Sequence, residues 1–377
     1  MKRQLIVSLI LGLCASASQA DAELQTFVTT TLAAARDKAK LPAVATLVQI
    51  NGKIEAQAAV GVREVDHPEA VTIDDRWHLG SDAKAMTATM ISRLTERGIL
   101  RLDETMAQLF PGIASAMNEK LHDVTLAQLL SHTSGLAPLS DDSELTEFLS
   151  VISGAKGVRA QRALVAVHYL SRPPASKVGE FSYSNLGFVI AGAAAEARTG
   201  HPWEELIESE VFKPLGMREV GFGPPGRRGK VDQPRGHVMK GGKWTAMLPG
   251  EDASDNPPAI GPAGTINISL HDWLLFAQDQ LDGVHGHGKL LKAEGYKTLQ
   301  TPISKYYALG WGVLRAADGS ISVLTHTGSN GFWVSDARIY PKRDTIILTF
   351  TNAGGEDAEK AVRDIDKTLQ QHLKALD

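Results

Sequence analysis

The distribution of apolar residues constrains the fold of this chain more than any other feature, because its period is two near both ends and helical in between. Two apolar runs, Ala43–Ile50 and Ile54–Val62, flank Asn51-Gly52, a dipeptide typical of a type I′ hairpin turn. Strand-like runs return near the C-terminus. They are Ala308–Leu314, Ser320–Thr325, Phe332–Tyr340 and Thr345–Thr351. Both ends of the chain are therefore predicted to contribute strands.

Helical periodicity fills much of the rest of the chain. It predicts helices at Ala22–Lys38, Ser81–Gly98, Thr125–Ser131, Arg159–Leu170, Leu186–Arg198, Trp203–Phe212 and Glu356–Leu373. The predicted fold class is α+β: an antiparallel sheet built from residues 40–80 and 305–355, flanked by the terminal helices, with a central helical lobe over roughly 81–300.

A single domain is predicted over residues 21–377, with a cleft between the sheet and the helical lobe. Small-molecule sites tend to form in such clefts. The segments at 141–157 and 221–262 are expected to be loops that wall the cleft.

Residues 1–20 have the pattern of a cleavable signal peptide. Two basic residues precede an apolar run over 5–13, and small residues before Asp21 predict cleavage after Ala20. The apolar run is shorter than the roughly 20 residues that cross a bilayer as a helix, so no stable membrane anchor is expected. The predicted location is the periplasm or the outside of the cell.

Charge and cysteine content exclude several classes of function. Cys14 is the only cysteine and lies in the expected signal peptide, so the mature chain would have no disulfide, thiol nucleophile or cysteine metal ligand. The formal net charge of −4 becomes −6 when Lys2 and Arg3 are removed. No nucleic-acid partner is expected, because the chain lacks the basic excess that such proteins have.

A Ser-x-x-Lys motif opens the helix predicted at 81–98. Ser81 and Lys84 are three residues apart, which places both side chains on one face of a helix. A serine hydroxyl becomes a good nucleophile when a base removes its proton, and a buried lysine with a lowered pKa can be that base. The helix N-terminus also favours negative charge nearby.

The same four-residue pattern occurs again at Ser153 and Lys156. Glycines at 154 and 157 break the helix there, so this lysine is expected to point into solvent. We interpret the second copy as a chance occurrence and the first as the candidate nucleophile.

Tyr183-Ser184-Asn185 is the only Tyr-x-Asn sequence in the chain and lies just before the apolar helix at 186–198. In an extended segment, residues two apart face the same side. A phenol close to a lysine can relay protons to a leaving group, and an asparagine amide both donates and accepts hydrogen bonds. A purely structural interpretation is also open, in which Asn185 is the N-cap of the helix.

His326-Thr327-Gly328-Ser329 ends one strand-like run and precedes the next. Such a position can offer the backbone groups of a sheet edge to a substrate, and Gly328 would let a ligand approach the backbone closely. A histidine at the end of a strand also has ordinary structural explanations.

In this order and at these separations, the three elements resemble the serine β-lactamase and D-alanyl-D-alanine peptidase superfamily, in particular its class C-like branch. Three further phrases carry the likeness, which extends from about Ala22 to the end of the chain. They are Leu-Leu-Ser-His-Thr-Ser-Gly-Leu at 129–136, Pro-Leu-Gly-Met at 214–217 and Leu-Gly-Trp-Gly at 309–312.

The resemblance implies Ser81 as nucleophile, Lys84 as its proton acceptor and Tyr183 as general acid and base. It also implies that the backbone N–H groups of Ser81 and Ser329 form the oxyanion hole. Ser81 would be acylated with loss of the leaving group, and water would then release the acid. No cofactor is implied.

The resemblance further implies Asn185, His326, Thr327 and Gly328 as substrate contacts. Typical class C β-lactamases have lysine at the position of His326, where a permanent positive charge helps to hold a substrate carboxylate. Histidine is largely neutral near pH 7. His-Thr-Gly is found in D-peptidase and esterase-like members, so esters and D-amino-acid peptides are expected as substrates ahead of β-lactam amides.

Alternatives of other kinds differ in how well they fit. One alternative is a β-lactamase proper. Another is a non-catalytic protein that binds penicillin or cell-wall peptides, and the joint presence of Ser81, Lys84 and Tyr183 favours an enzyme over this second alternative. A different serine hydrolase fold is disfavoured because no Gly-x-Ser-x-Gly sequence occurs. No metal is expected, since His285 and His287 lack further ligands at useful spacing. The predicted partner is a small-molecule or peptide substrate.

Overall fold

The computed structural model describes residues 22–251 and 254–375. The expected signal peptide, its cleavage point after Ala20 and Cys14 lie outside the described residues. The strands are β1 Ala43–Ile50, β2 Lys53–Gly61, β3 Arg76–His78, β4 Val220–Phe222, β5 Gly236–Lys240, β6 Lys243–Met247, β7 Ile266–Ser269, β8 Gly312–Arg315, β9 Ile321–Ser329, β10 Val334–Tyr340 and β11 Thr345–Thr351.

The helices lie mainly between the two groups of strands. They are α1 22–39, α2 Ala83–Glu96, α3 Met106–Leu109, α4 Leu126–Leu130, α5 Asp142–Ser153, α6 Val158–Leu170, α7 Asn185–Thr199, α8 Trp203–Ile207, α9 Lys213–Leu215, α10 Gly261–Gly264, α11 Leu270–Val284, α12 Ala293–Leu299 and α13 Glu356–Ala375. Within the described ranges, none of them is long and apolar enough to cross a membrane.

The first and last strands of the chain meet in one antiparallel sheet of six strands, in the order β2-β1-β11-β10-β9-β8. β1 pairs with β11 along nearly its whole length, which confirms the predicted sheet built from both chain ends. Asn51 and Gly52 join β1 to β2, and both have positive φ, 50° and 74°. A type I′ turn requires this, so the predicted hairpin is confirmed.

Both faces of this sheet are buried. Side chains alternate along each strand, so each strand contributes to both faces. In β11, Ile346, Leu348 and Phe350 face the central helices, whereas Ile347 packs with Ile365 of α13. Full burial of such side chains contributes about 1.5–3 kcal/mol each. The terminal helices α1 and α13 therefore cover one face and the helical lobe covers the other, as predicted.

The central part contains elements that the sequence analysis missed. β3, β7 and β4 form a second small sheet, and β5 and β6 form a hairpin inside the predicted loop at 221–262. Helix α5 occupies most of the predicted loop at 141–157. Asp141 caps this helix, accepting hydrogen bonds from the backbone N–H groups of Ser143 and Glu144, each at 2.9 Å.

The strand predicted at 308–314 begins only at Gly312 and ends at Arg315. The preceding residues form a tight turn, in which Gly310 has a φ of 75°. A Cβ on Gly310 would lie 2.7 Å from the carbonyl oxygen of Lys84, so this turn packs directly against the start of α2.

Candidate active site

Ser81 lies in a tight turn between β3 and α2. The turn is a single 3-10 segment, Gly80–Asp82, and α2 begins at Ala83. The predicted α-helical start at Ser81 is therefore two residues early. Gly80 has a φ of 50°, and a Cβ there would lie 2.4 Å from the backbone nitrogen of Ser329, so only glycine fits.

Lys84 is fully buried and lies next to Ser81. Its Nζ is 2.9 Å from Ser81 Oγ, 2.7 Å from Asn185 Oδ1 and 2.7 Å from the carbonyl oxygen of Ala263. Burial lowers the pKa of Lys84 well below its usual value, against the opposing effect of Asp82. A neutral amine has two N–H donors and one lone pair. Two carbonyl oxygens can take the donors, which leaves the lone pair for the Ser81 hydroxyl hydrogen.

Tyr183 lies next to Ser81 and Lys84. The Nζ of Lys84 is 5.0 Å from the centre of its ring. Burial raises the pKa of Tyr183 well above its usual value, although a hydrogen bond with the Ser81 side chain acts in the opposite direction. Tyr183 is therefore a protonated phenol at physiological pH. Such a group passes a proton on by giving up one while accepting another.

His132 supports Tyr183, although it is not among the predicted site residues; it lies in the Leu-Leu-Ser-His-Thr-Ser-Gly-Leu phrase at 129–136. The two rings lie 4.2 Å apart between centres, and the backbone N–H of Ser184 donates to His132 Nδ1 at 3.1 Å. Burial lowers the pKa of His132 well below its usual value, with the nearby Lys84 and His326 acting in the same direction. A neutral imidazole thus fixes the segment that carries Tyr183.

Asn185 contacts Lys84 and does not cap its helix. Its Oδ1 accepts from Lys84, while its Nδ2 donates to the carbonyl oxygen of Leu139 at 3.0 Å. The N-cap of α7 is Ser184, whose Oγ accepts from the backbone N–H of Gly187 at 3.2 Å. The N-cap interpretation of Asn185 is therefore wrong.

The backbone N–H groups of Ser81 and Ser329 lie close together. A Cβ on Gly328 would be 2.8 Å from the nitrogen of Ser81, and one on Gly80 would be 2.4 Å from that of Ser329. The first N–H groups of a helix have no partner within it. β8 pairs with β9 only as far as Thr325, so the last residues of β9 have an open edge. The two N–H groups are therefore close enough to each other to be candidate donors to one developing oxyanion.

Gly328 has a different role from the predicted one. A Cβ at this position would lie 1.9 Å from the carbonyl oxygen of Leu79. The close approach that requires glycine is thus between two segments of the protein itself, and the expectation that Gly328 admits a ligand is corrected accordingly.

His326 is buried beside Ser81, and both of its ring nitrogens have partners in the protein. Nδ1 lies 3.1 Å from Asp82 Oδ1, and Nε2 lies 3.0 Å from the hydroxyl of Tyr307. Burial, with the nearby Lys84 acting in the same direction, lowers the pKa of His326 to about 3. The imidazole is therefore neutral. Asp82 and Tyr307 are not among the predicted site residues; a charged residue inside the Ser-x-x-Lys motif was the available signal for Asp82.

Thr327 faces the other side of the sheet. It stands opposite Asp336 in β10, and its hydroxyl donates to that carboxylate. Arg338 contacts the same carboxylate at 2.7 Å. The side chain of Thr327 is therefore directed away from the Ser81 turn, whereas that of the neighbouring His326 contacts Asp82 in this turn.

The second Ser-x-x-Lys copy lies apart from this site. Ser153 is the last residue of α5, is exposed, and donates to the carbonyl oxygen of Ser150 at 2.7 Å. Lys156 is exposed in the loop that follows. Across residues 22–251 and 254–375, no group of three or more His, Cys, Asp or Glu side chains is arranged to hold a metal ion.

Comparison with known proteins gives one family model and many relatives. The model described as Beta-lactamase matches residues 28–371. Penicillin-binding protein 4 of Amycolatopsis lactamdurans is 29% identical over 334 residues, which are 85% of this chain and 83% of that protein. Protein flp of Staphylococcus aureus (strain COL) is 24% identical over 341 residues, 89% of this chain but 65% of that protein.

Solved structures share the fold over almost the whole chain. EstCE1, titled a hydrolase with promiscuous acyltransferase activity, superposes with a TM-score of 0.74 at 18% identity, covering 92% of this chain and 99% of that one. A D-stereospecific amidohydrolase from Streptomyces sp. gives a TM-score of 0.66 at 23% identity, covering 90% and 97%. At these identities the likeness establishes the fold, and the predicted fold class is confirmed.

Proposed function

The chain belongs to the beta-lactamase family of serine hydrolases, and from this premise we propose that it hydrolyses esters and D-amino-acid peptide bonds in preference to β-lactam antibiotics. Ser81 is the proposed nucleophile. Lys84 and Tyr183 are the proposed proton carriers.

The observation that carries this preference is the state of His326. β-Lactams carry a carboxylate, which binds best opposite a positive charge. His326 supplies none, because burial lowers its pKa to about 3 and its ring nitrogens are engaged by Asp82 and Tyr307. An ester or a D-amino-acid amide without a free carboxylate loses nothing from this, so neutral substrates of these two kinds fit the site best.

The proposed reaction has two steps. Ser81 Oγ transfers its proton to Lys84 Nζ and bonds to the carbonyl carbon, while the carbonyl oxygen becomes an oxyanion at the N–H groups of Ser81 and Ser329. The proton then passes through Tyr183 to the leaving group, and the bond to that group breaks. Water then loses a proton to the same groups and bonds to the acyl carbon. The bond to Ser81 Oγ breaks, the proton passes to Ser81 Oγ, and the acid is released.

Two of the structural relatives support this class of reaction. One is titled a hydrolase with acyltransferase activity and the other a D-stereospecific amidohydrolase. Acyl transfer and D-amide hydrolysis can both proceed through an acyl-enzyme on a nucleophilic serine, which is the reaction proposed for this chain.

A paired substitution tests the proposal. We expect the purified protein to hydrolyse p-nitrophenyl butyrate, Ser81→Ala to lose at least about a thousandfold in kcat, and Ser153→Ala to match the wild type. Mass spectrometry after treatment with a fluorophosphonate should show one adduct, on the peptide that contains Ser81. Equal activity in Ser81→Ala and wild type would refute the nucleophile.

The same preparation separates the alternatives. Turnover of a penicillin faster than that of the ester would indicate a β-lactamase proper. A stable penicillin adduct on Ser81 without turnover of any substrate would indicate a penicillin-binding protein.

Export is part of the proposal. The pattern at 1–20 supports secretion or a periplasmic location. Expression of the full chain should yield a periplasmic or secreted protein whose mass corresponds to a start at Asp21, and a cytoplasmic protein that retains residues 1–20 would refute export.

A further inference from the structure

We infer that Asp255 is a positioning residue for the oxyanion hole: its carboxylate links the turn that carries Ser81 to the turn that carries Ser329. The inference rests on the proposed function, which uses both of these backbone N–H groups. It concerns a side chain that contacts no part of the proton path through Lys84 and Tyr183.

The first link runs through His78, the last residue of β3, whose side chain is fully buried. The backbone N–H of Gly80 donates to His78 Nδ1 at 3.0 Å. Nδ1 is thus an acceptor, so Nε2 carries the ring hydrogen and donates to Asp255 Oδ2 at 3.0 Å. Asp255 therefore fixes the ring that holds the backbone immediately before Ser81.

The second link runs through Asn330, which directly follows Ser329. Its Nδ2 donates to Asp255 Oδ1 at 2.7 Å, while its Oδ1 accepts from the backbone N–H of Phe332 at 3.1 Å. This second bond fixes which way the amide points. One carboxylate thus holds both turns, one through each oxygen.

The carboxylate itself is held firmly. The Asp255 side chain is only 6% exposed, and its Oδ1 also accepts from the backbone N–H of Asn256 at 2.7 Å. Asn256 in turn donates from Nδ2 to the carbonyl oxygen of Gly264 at 2.9 Å. Hydrogen bonds to an ionised acceptor are stronger than neutral ones, so this link is stiff.

Stiffness matters here because the two turns touch. The backbone of Ser329 lies so close to Gly80 that a Cβ could not fit between them. An oxyanion hole works when its donors are 2.7–3.1 Å from the place where the charge develops. A looser link would widen the spacing of the donors without removing either of them.

The predicted effect is therefore smaller than the loss of a donor and is confined to the chemical step. Loss of one oxyanion-hole donor costs about 100- to 1000-fold in kcat. For Asp255→Ala we expect kcat for p-nitrophenyl butyrate to fall by about 10- to 100-fold, with KM changed by less than about threefold. Asp255→Asn, which keeps one acceptor, should fall between Asp255→Ala and the wild type.

Two further variants make the test specific. Asn330→Ala should lower kcat, and adding it to Asp255→Ala should cost little more, because both break the same link. Asp279→Asn is the matched control: Asp279 is also buried, but it bonds to the Tyr296 hydroxyl and the backbone N–H of Leu290. It should lower the melting temperature and leave kcat within about twofold.

Three results would overturn the inference. They are a wild-type kcat in Asp255→Ala, losses of kcat that add when Asn330→Ala is combined with Asp255→Ala, and a loss of kcat/KM that comes entirely from a higher KM. Failure of the proposed function gives a different result. If the wild type hydrolyses none of the esters, the rate at which a fluorophosphonate labels Ser81 replaces kcat as the readout. A 10- to 100-fold slower labelling of Asp255→Ala then supports the inference, and an equal rate refutes it.

Discussion

Replacing Gly328 by alanine tests the steric basis of the site. A Cβ at this position would lie 1.9 Å from the carbonyl oxygen of Leu79 and 2.8 Å from the nitrogen of Ser81. Both distances are shorter than van der Waals contact, so the backbone of β9 must move away from the turn that carries Ser81. The methyl group is therefore expected to open the proposed oxyanion hole without removing any polar group.

The size of the effect follows from these distances. The separation between the new Cβ and the Leu79 oxygen must grow by about 1.1 Å to reach the shortest separation that real Cβ atoms show, and by about 1.5 Å to reach ordinary contact. A displacement of this size in an active site costs about a hundredfold in rate, equivalent to about 2.7 kcal/mol of transition-state stabilisation. Overpacking of a filled interior also destabilises the folded state by about 1–3 kcal/mol.

The assay compares two glycine-to-alanine variants. Gly112 has open space around its Cβ position and no positive φ, so Gly112→Ala is the matched control. We expect kcat/KM for p-nitrophenyl butyrate to fall about a hundredfold in Gly328→Ala, with a lower melting temperature, and neither quantity to fall in Gly112→Ala. Wild-type activity and stability in Gly328→Ala would refute the steric reasoning.

Three further predictions concern charge. Burial holds the pKa of Lys84 well below 10.5. We therefore expect kcat/KM to rise from mildly acid to alkaline pH as Lys84 loses its proton, and an optimum at acid pH would contradict the role of Lys84. Asn185→Asp places a carboxylate against Lys84, raises its pKa, and should move this rise to more alkaline pH by about one unit or more, measured from the same pH–rate profile. His326→Lys should increase β-lactam turnover; high turnover in the wild type that does not increase would show that the substrate ranking is wrong.

The parts of the fold that the sequence predicts are those encoded locally. The turn at Asn51-Gly52 and the period-two runs around it depend on neighbouring residues, so the hairpin and the large sheet follow from the sequence. The second sheet does not, because β3 and β4 have only three residues each and form through pairing with β7. Helix α5 was missed for another reason: its polar, glycine-bounded segment resembles a loop, although Asp141 was a usable capping signal.

In the site, too, contacts between residues close in sequence are predictable and contacts between distant residues are not. The spacing of Ser81 and Lys84 is local and places both on one turn. By contrast, the carbonyl oxygen of Ala263, which accepts a hydrogen bond from Lys84, is 179 residues away in the sequence. His78 and Asp255 are 177 residues apart. A carbonyl oxygen has no sequence signature, and no spacing rule covers such separations, so these contacts emerge only from the fold.

The environment of Ser81 favours neutral groups in the resting enzyme. Burial raises the pKa of Asp82 well above its usual value, with Asp336 acting in the same direction, and this weakens the charge attraction by which Asp82 opposes the lowering of the Lys84 pKa. Burial also lowers the pKa values of Lys84 and His326, which favours their neutral forms. An isolated charge is costly in such a place. In the proposed reaction, however, Ser81 gives its proton to Lys84, so the ammonium and the oxyanion form together and stabilise each other. Burial disfavours the ammonium or the oxyanion alone, but it strengthens the attraction between them. Because both charges form only as the reaction proceeds, this attraction stabilises the transition state more than the bound substrate.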